Sequence, residues 1–289
     1  MHDNPPSGEA GTFALSSHSI VALSGRDAIT FAQAQFINDV GLIDAGQWQW
    51  SGWLTPKGRV IALFALIRIE DETVWLLLPD ADAATLAQRL SRFVFRSKVA
   101  ITVAAGLQVS GSFSPPAQAL DNRLARTDDT TVELDMGACA GQRRMLIGPT
   151  GGREDPEAEA AWKAFDLRHG LPRLAASQTE QWTPQQLSLE RLKAFSIKKG
   201  CYPGQEIVAR THFLGKAKRG LALLESAHPL DDGAAVQGDE GVTGTVVSSV
   251  GNGNHHWALA VLPLERGTAP LHVATQAVDE SPLLEGLAR

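Results

Sequence analysis

The chain is 289 residues long, with 44% hydrophobic and 20% charged residues and a net charge of −6. That balance excludes a disordered chain, and its sign excludes a nucleic-acid-binding surface spread over the whole protein. Two cysteines, Cys139 and Cys201, cannot build a disulfide framework, and without a Cys-x-x-Cys pair the expectation is no metal bound by this chain alone.

Residues 1–11, polar and rich in Pro and Gly, read as a loose tail lacking the basic and apolar regions of a signal peptide, so a cytoplasmic protein is expected. Ser24 followed by Asp27 makes a capping pattern. Ala28, Phe31, Ala32, Gln35 and Phe36 then recur at helical spacing, predicting a helix over 26–38. A stretch with Trp48, Trp50 and Trp53 leads into the turn LTPKGRV. VIALFALIRI from Val60 is broken by Arg68 and falls short of the roughly 18–20 residues of a membrane span. With TVWLLLP it predicts a hairpin turning at Glu70-Asp71-Glu72. Leu86, Leu90 and Phe93 at i, i+4 and i+7 predict a helix lying on that hairpin. VAITVA and LQVSGSF return as strands, an α+β layout rather than a parallel one.

A connection over 114–123 precedes a second strand pair, TVELDM and RRMLIG. Asp155 as cap, Pro156 in the first turn, and Glu157 and Glu159 against the dipole start a helix that Gly170 ends. On it, Trp162 and Phe165 share one face. After Gly220, short β-prone runs between turn residues predict a small barrel or sandwich.

The densest chemistry lies at 198–210, KKGCYPGQEIVAR. Gly200 and Gly204 bracket Cys201-Tyr202-Pro203 and allow a sharp bend, and QEIVAR opens a helix. Lys198, Lys199 and the helix start would set the thiol in positive potential and favour thiolate, although a small buried hydrophobe is the other reading of a free cysteine. From Arg191 to Gly220 eight Lys/Arg face one acid, Glu206, so the segment reads as anion-facing. Neither His169 nor His212 stands at a spacing diagnostic of a cysteine hydrolase, and no phosphate loop, nucleophile elbow or HExxH is present. The residues alone describe a reactive or metal-sharing thiol in an anion-friendly pocket.

KGCYPGQE followed by IVARTHFLGKAKRGL resembles the signature of the YgfZ family of folate-binding proteins. That family is related to the aminomethyltransferase (T-protein) of the glycine cleavage system and to the mitochondrial iron–sulfur maturation factor. VALSGRDAITFAQAQFINDV, LTPKGRV, FVFRSKVAI and TPQQLSLERL are similar to further family segments. The resemblance implies a T-protein-like α+β fold. Its folate-binding region would span 12–216 as two intertwined modules (12–50 with 107–165, 51–106 with 166–216), followed by a β-barrel domain at 217–289.

The same resemblance implies tetrahydrofolate in a central opening, with Trp162 stacking on it and His18 at a second position where the family sometimes uses an aromatic residue. Cys201 falls on the family's functional cysteine. Lys199, Gly200, Tyr202, Gly204, Gln205, Glu206 and Arg210 would surround the cofactor, and Ser188 replaces a common asparagine. Ala62 and Leu63 fall where transferases keep an aspartate near the reacting folate nitrogens. The implied function is therefore a folate-dependent accessory role in iron–sulfur cluster assembly or repair and, through iron–sulfur enzymes, in tRNA modification. Its partners would be folate and iron–sulfur assembly or client proteins. A one-carbon transferase and an RNA-binding module at 191–220 are the alternatives.

Overall fold

The computed structural model describes residues 11–213, 215, 217–239, 241–267 and 269–289. The tail at 1–10 and Lys216 of the basic segment lie outside the described residues.

Strands β1 (Phe13–Ala14) and β2 (Ser19–Ser24) precede helix α1 (Ala28–Gln35). The helix is shorter than predicted because its cap is not formed. Ser24 stays in β2, and Asp27 Oδ2 accepts from the Lys98 backbone N–H at 2.6 Å instead. Phe36 leaves the helix in extended conformation and bridges to Trp53. The tryptophan-rich stretch is itself a strand, β3 (Gln47–Leu54), and β4 (Val60–Glu70) and β5 (Thr73–Leu78) form the expected hairpin. Helix α2 (Ala83–Ser91) is capped by Asp82, which accepts from Thr85 N–H at 2.7 Å. It buries Leu86 and Leu90 but stops short of Phe93, which is exposed rather than packed on the hairpin.

Strands β6 (Ala100–Val103), β7 (Gln108–Ser112), β8 (Ala125–Arg126), β9 (Val132–Asp135) and β10 (Arg144–Gly148) lead to α3 (Pro156–Arg168). Asp155 caps α3 by accepting from Ala158 N–H at 3.0 Å, and Gly170, at φ +73°, ends it. Helix α4 (Gln205–Phe213) follows the cysteine loop. Strands β11 (Arg219–Ser226), β12 (Ala235–Gly238), β13 (Gly241–Asn252), β14 (His255–Pro263), β15 (Leu271–Val273) and β16 (Gln276–Ser281) close into a six-stranded barrel.

The other ten strands form two five-stranded sheets, ordered β3-β4-β5-β2-β6 and β1-β7-β10-β9-β8. The pairing differs from the expected modules. Residues 19–24 and 47–54 join the sheet made by 60–103, not that of 107–165, because Val21 and Leu23 belong to the apolar layer under α1 and α2 with Phe31 and Leu86. A larger core, holding Trp48, Trp50 and Trp162, lies between the two sheets and against the barrel. The last residues leave the barrel and return to that core: Leu287 O accepts from Trp50 Nε1 at 2.8 Å, and Arg289 donates to Gly137 O at 2.8 Å.

Candidate functional site: the cysteine loop and the central cavity

Most of the cysteine motif holds the loop's shape. Lys199 is buried, and its ammonium donates to the carbonyl oxygens of Phe36 (2.6 Å) and Asn38 (2.9 Å). Burial pulls its pKa down to about 8, with Asp39 acting in the opposite direction. Tyr202 is buried below it, 5.2 Å from ring centroid to ammonium, and donates to Ser196 O; burial pushes its phenol up to about 12. Gln205 Nε2 donates to Lys199 O at 3.0 Å, closing the turn. Asn38 ties the loop to β3, donating to Trp50 O (2.8 Å) and Lys193 O (2.7 Å). Gln33 in turn donates to Asp39 at 2.9 Å and accepts from Val40 N–H at 2.7 Å, which fixes the chain leaving Asn38.

The glycines divide. Gly204 adopts φ +79°, and a Cβ there would lie 2.6 Å from Thr55 O and 2.8 Å from Gly58 Cα, so the cysteine loop and the Lys57-Gly58-Arg59 turn touch backbone to backbone. The chain does bend at Gly200, but its φ is not left-handed and a Cβ there would meet nothing within 4 Å, so this side of the bend does not require glycine. Cys201 is exposed, as are Glu206 and Arg210 on α4. Lys199, expected to face the thiol, is turned inward to the carbonyls.

Ser188 lies in the left-handed region (φ 48°), where asparagine is better tolerated than serine. Its Oγ compensates by accepting from Leu221 N–H at 3.0 Å, so the residue joins the loop region to the barrel.

Trp162 and His18 meet elsewhere, at a cavity between the two sheets lined also by Trp50, Met136, Met145 and Asp166. Trp162 is fully buried, with the Arg143 guanidinium 4.1 Å over its ring and Phe13 edge-on at 6.0 Å. Its indole N–H is buried without a partner among the described residues. Asp166 is the carboxylate of this cavity, and both its oxygens are engaged, by Arg143 (2.8 Å) and Arg173 (3.1 Å). Arg173 reaches on to Asp80 (2.7 Å) and to Ser17 (3.0 Å), locking four segments around the opening. Burial, then Arg173 and Arg143, hold the His18 imidazole well below its ordinary pKa, so the ring is neutral.

The cavity has about 240 Å³ between its atoms, but only about 10 Å³ of it can hold the centre of a water molecule. That is room for about one water, whereas pockets for drug-sized ligands run from about 300 Å³ upward. The unpaired indole N–H suits a polar heterocycle, and the methionines are side chains that re-pack readily. The volume, however, does not admit a pterin ring as the cavity stands. None of the cysteine-loop residues lines it, so the site residues expected to converge on one pocket fall into two groups.

Cys201's neighbour Pro203 instead borders a groove of about 630 Å³ lined by Trp53, Phe93, Arg89 and Arg92. Phe93 stands edge-on to Trp53 at 5.8 Å, and Arg89 lies 5.4 Å from the Trp53 ring centroid while pairing with Glu180 at 2.7 Å. These residues were not among the expected set, although the alternating basic and aromatic run RLSRFVFRSK was a signal for them. Ala62 and Leu63 are buried in apolar layers, so no carboxylate stands at their positions. Among the described residues, no group of three or more His, Cys, Asp or Glu could hold a metal ion, and no helix is long and apolar enough to cross a membrane.

Two antiparallel sheets around a central opening, closed by a β-barrel, define an aminomethyltransferase-type fold. The chain superposes on the glycine cleavage system aminomethyltransferase T from Bartonella henselae with a TM-score of 0.69, at 16% identity, covering 96% of this chain and 85% of that one. The resemblance to the YgfZ family is borne out by curated relatives. The chain is 26% identical over 226 residues to the tRNA-modifying protein YgfZ of Vibrio vulnificus (74% of this chain, 69% of the relative). It is 28% identical over 235 residues to the protein of that name from Colwellia psychrerythraea (73% and 70%). An uncharacterized protein of Haemophilus influenzae is 25% identical over 259 residues (86% and 87%). No protein-family model matches the chain.

Proposed function

We propose that the chain is a cytoplasmic, YgfZ-type accessory protein that binds a reduced folate and uses Cys201 to support iron–sulfur cluster assembly or repair, and through iron–sulfur enzymes tRNA modification. One observation carries the reading: Cys201 is exposed on a loop whose neighbours Lys199, Tyr202 and Gln205 are all engaged in holding it. A loop braced in this way presents a thiol to a partner protein. Folate would enter the central cavity on re-packing of Met136 and Met145, with Trp162 offering its unpaired indole N–H.

A one-carbon transferase is disfavoured. Ala62 and Leu63 are apolar, and Asp166, the carboxylate facing the opening, is held by two guanidiniums rather than free to move a proton. An RNA-binding role for 191–220 is weakened because Arg191, Lys199 and Arg219 donate to backbone carbonyls of the chain itself.

Titration with tetrahydrofolate, followed by tryptophan fluorescence, tests the folate reading. Saturable quenching in wild type, weakened in Trp162→Phe and kept in Trp53→Phe, is expected. Loss in Trp53→Phe instead would move the ligand to the groove beside Pro203, and absence of saturation would overturn folate binding. For the thiol, Cys201→Ser in a deletion background is expected to abolish support of iron–sulfur enzymes; full support would refute it.

A further inference from the structure

The second cysteine is paired with a base. Cys139 is exposed at the tip of a two-residue turn, closed by Ala138 N–H to Gly141 O (3.0 Å) and Gly141 N–H to Ala138 O (3.1 Å). Its own N–H donates to Glu285 O at 3.3 Å, so the returning C-terminal segment pins the turn. Its Sγ lies 3.8 Å from Nε2 of His169, thirty positions on, at the C-terminal end of α3.

His169 is 2% exposed and fixed from two sides. Its ring stacks on Phe165, with centroids 4.1 Å apart and planes 20° from parallel, and its Nδ1 is 2.7 Å from Phe165 O. A carbonyl oxygen can only accept, so Nδ1 carries the proton and Nε2 of the neutral ring presents its lone pair. Among the described residues, the hydrogen-bonding group at that lone pair is the Cys139 thiol. Burial favours the neutral ring. Of the charged groups around it, Arg143 and Arg168 act in the same direction and Asp166 and the Phe165 hydrogen bond oppose it. Nucleophile, base and the group orienting the base thus stand in the order that activates a thiol.

We propose that Cys139–His169 is a second reactive thiol site, independent of the folate reading, whose substrates are small disulfides. The Cys139 proton passes to His169 Nε2, and the thiolate attacks one sulfur of the disulfide. The S–S bond breaks as the new one forms. The departing thiolate takes the proton back from the imidazolium, leaving a mixed disulfide on Cys139 and one free thiol, with oxidation state conserved overall. An exposed Cys139 beside a buried base gives access to the small disulfide and keeps the base from solvent.

The test exposes the full chain to oxidised glutathione and follows mixed disulfide at Cys139 and Cys201 by peptide mass spectrometry. The Cys139-to-Cys201 rate ratio is expected to be about tenfold or more higher in the native chain than in the same chain unfolded in denaturant. His169→Asn, which retains a donor for Phe165 O but no base, is expected to return the ratio to its unfolded value with the Cys201 rate unchanged. Equal ratios in native and unfolded chains would overturn the proposal without any variant. A folded His169→Asn that keeps the high ratio would overturn the role of the base.

Discussion

Lys199 Nζ donates to the carbonyl oxygen of Phe36 at 2.6 Å across 163 positions of sequence, so the residue two before Cys201 is anchored at the end of α1. Replacing it by methionine keeps the apolar stem but leaves the Phe36 and Asn38 carbonyls without their donor. A loss of about 1–3 kcal/mol is expected, read from thermal or denaturant unfolding. The loss has a pH signature. Burial lowers the folded pKa to about 8, while the unfolded side chain keeps 10.5. Between those values the unfolded state binds more protons, so wild-type stability from this site rises with pH. The penalty of a desolvated ammonium is fully present below about 8 and gone above the unfolded value. The wild-type advantage over Lys199→Met is therefore expected to widen from pH 8 upward, and a constant gap would refute the desolvated ammonium.

The two glycines of the motif are expected to behave differently. Gly204→Ala forces a Cβ into the Thr55 carbonyl at a left-handed φ, and should cost about 1–3 kcal/mol while separating the loop from the Lys57-Gly58-Arg59 turn. Gly200→Ala meets open space and should stay within about 0.5 kcal/mol of wild type. Melting temperatures of the two variants side by side decide it. Equal losses would mean that the loop is held by something other than this backbone contact.

That contrast also marks what the sequence could carry. The hairpin of β4 and β5, the start of α3 and the barrel were legible because apolar period, cap chemistry and turn residues are local. The start of α1 was misread because Asp27 is drawn to Lys98 N–H, a partner no local pattern names. The role of Lys199 was misread for the same reason. Its sequence neighbour is a thiol, whereas its spatial neighbours are carbonyls from another module. Trp162 was legible as a core-facing aromatic, and it is fully buried, but the guanidinium over its face comes from Arg143 and could not be read from spacing.

Asp166 tests how the opening is locked. It is buried and accepts from Arg143 and Arg173, which are themselves buried. Asp166→Asn keeps the shape and removes the charge, leaving Arg143 without a carboxylate among its hydrogen bonds, which otherwise go to Met136 O and Trp162 O. Breaking a buried pair this way is expected to destabilise by about 3–5 kcal/mol. Denaturant midpoints measure it, and a change under 1 kcal/mol would place this network in the class of exposed ion pairs.

His18 supplies a pH dependence of the opposite range. Its ring faces the cavity among buried groups, and burial with Arg173 and Arg143 depresses its folded pKa well below the ordinary 6.5. As pH falls through 6.5 the unfolded chain takes up a proton that the native chain refuses. The stability is thus fully present above the unfolded pKa and lost progressively below it, at up to about 1.4 kcal/mol per pH unit for one such group. His169, also depressed by burial, adds in the same direction. Unfolding midpoints between pH 7 and pH 5 should therefore fall less steeply in His18→Gln than in wild type, with the remaining slope reduced again by His169→Asn. Superimposable slopes for wild type and His18→Gln would mean that the native cavity accepts an imidazolium, and that the two guanidiniums beside it do not set its charge.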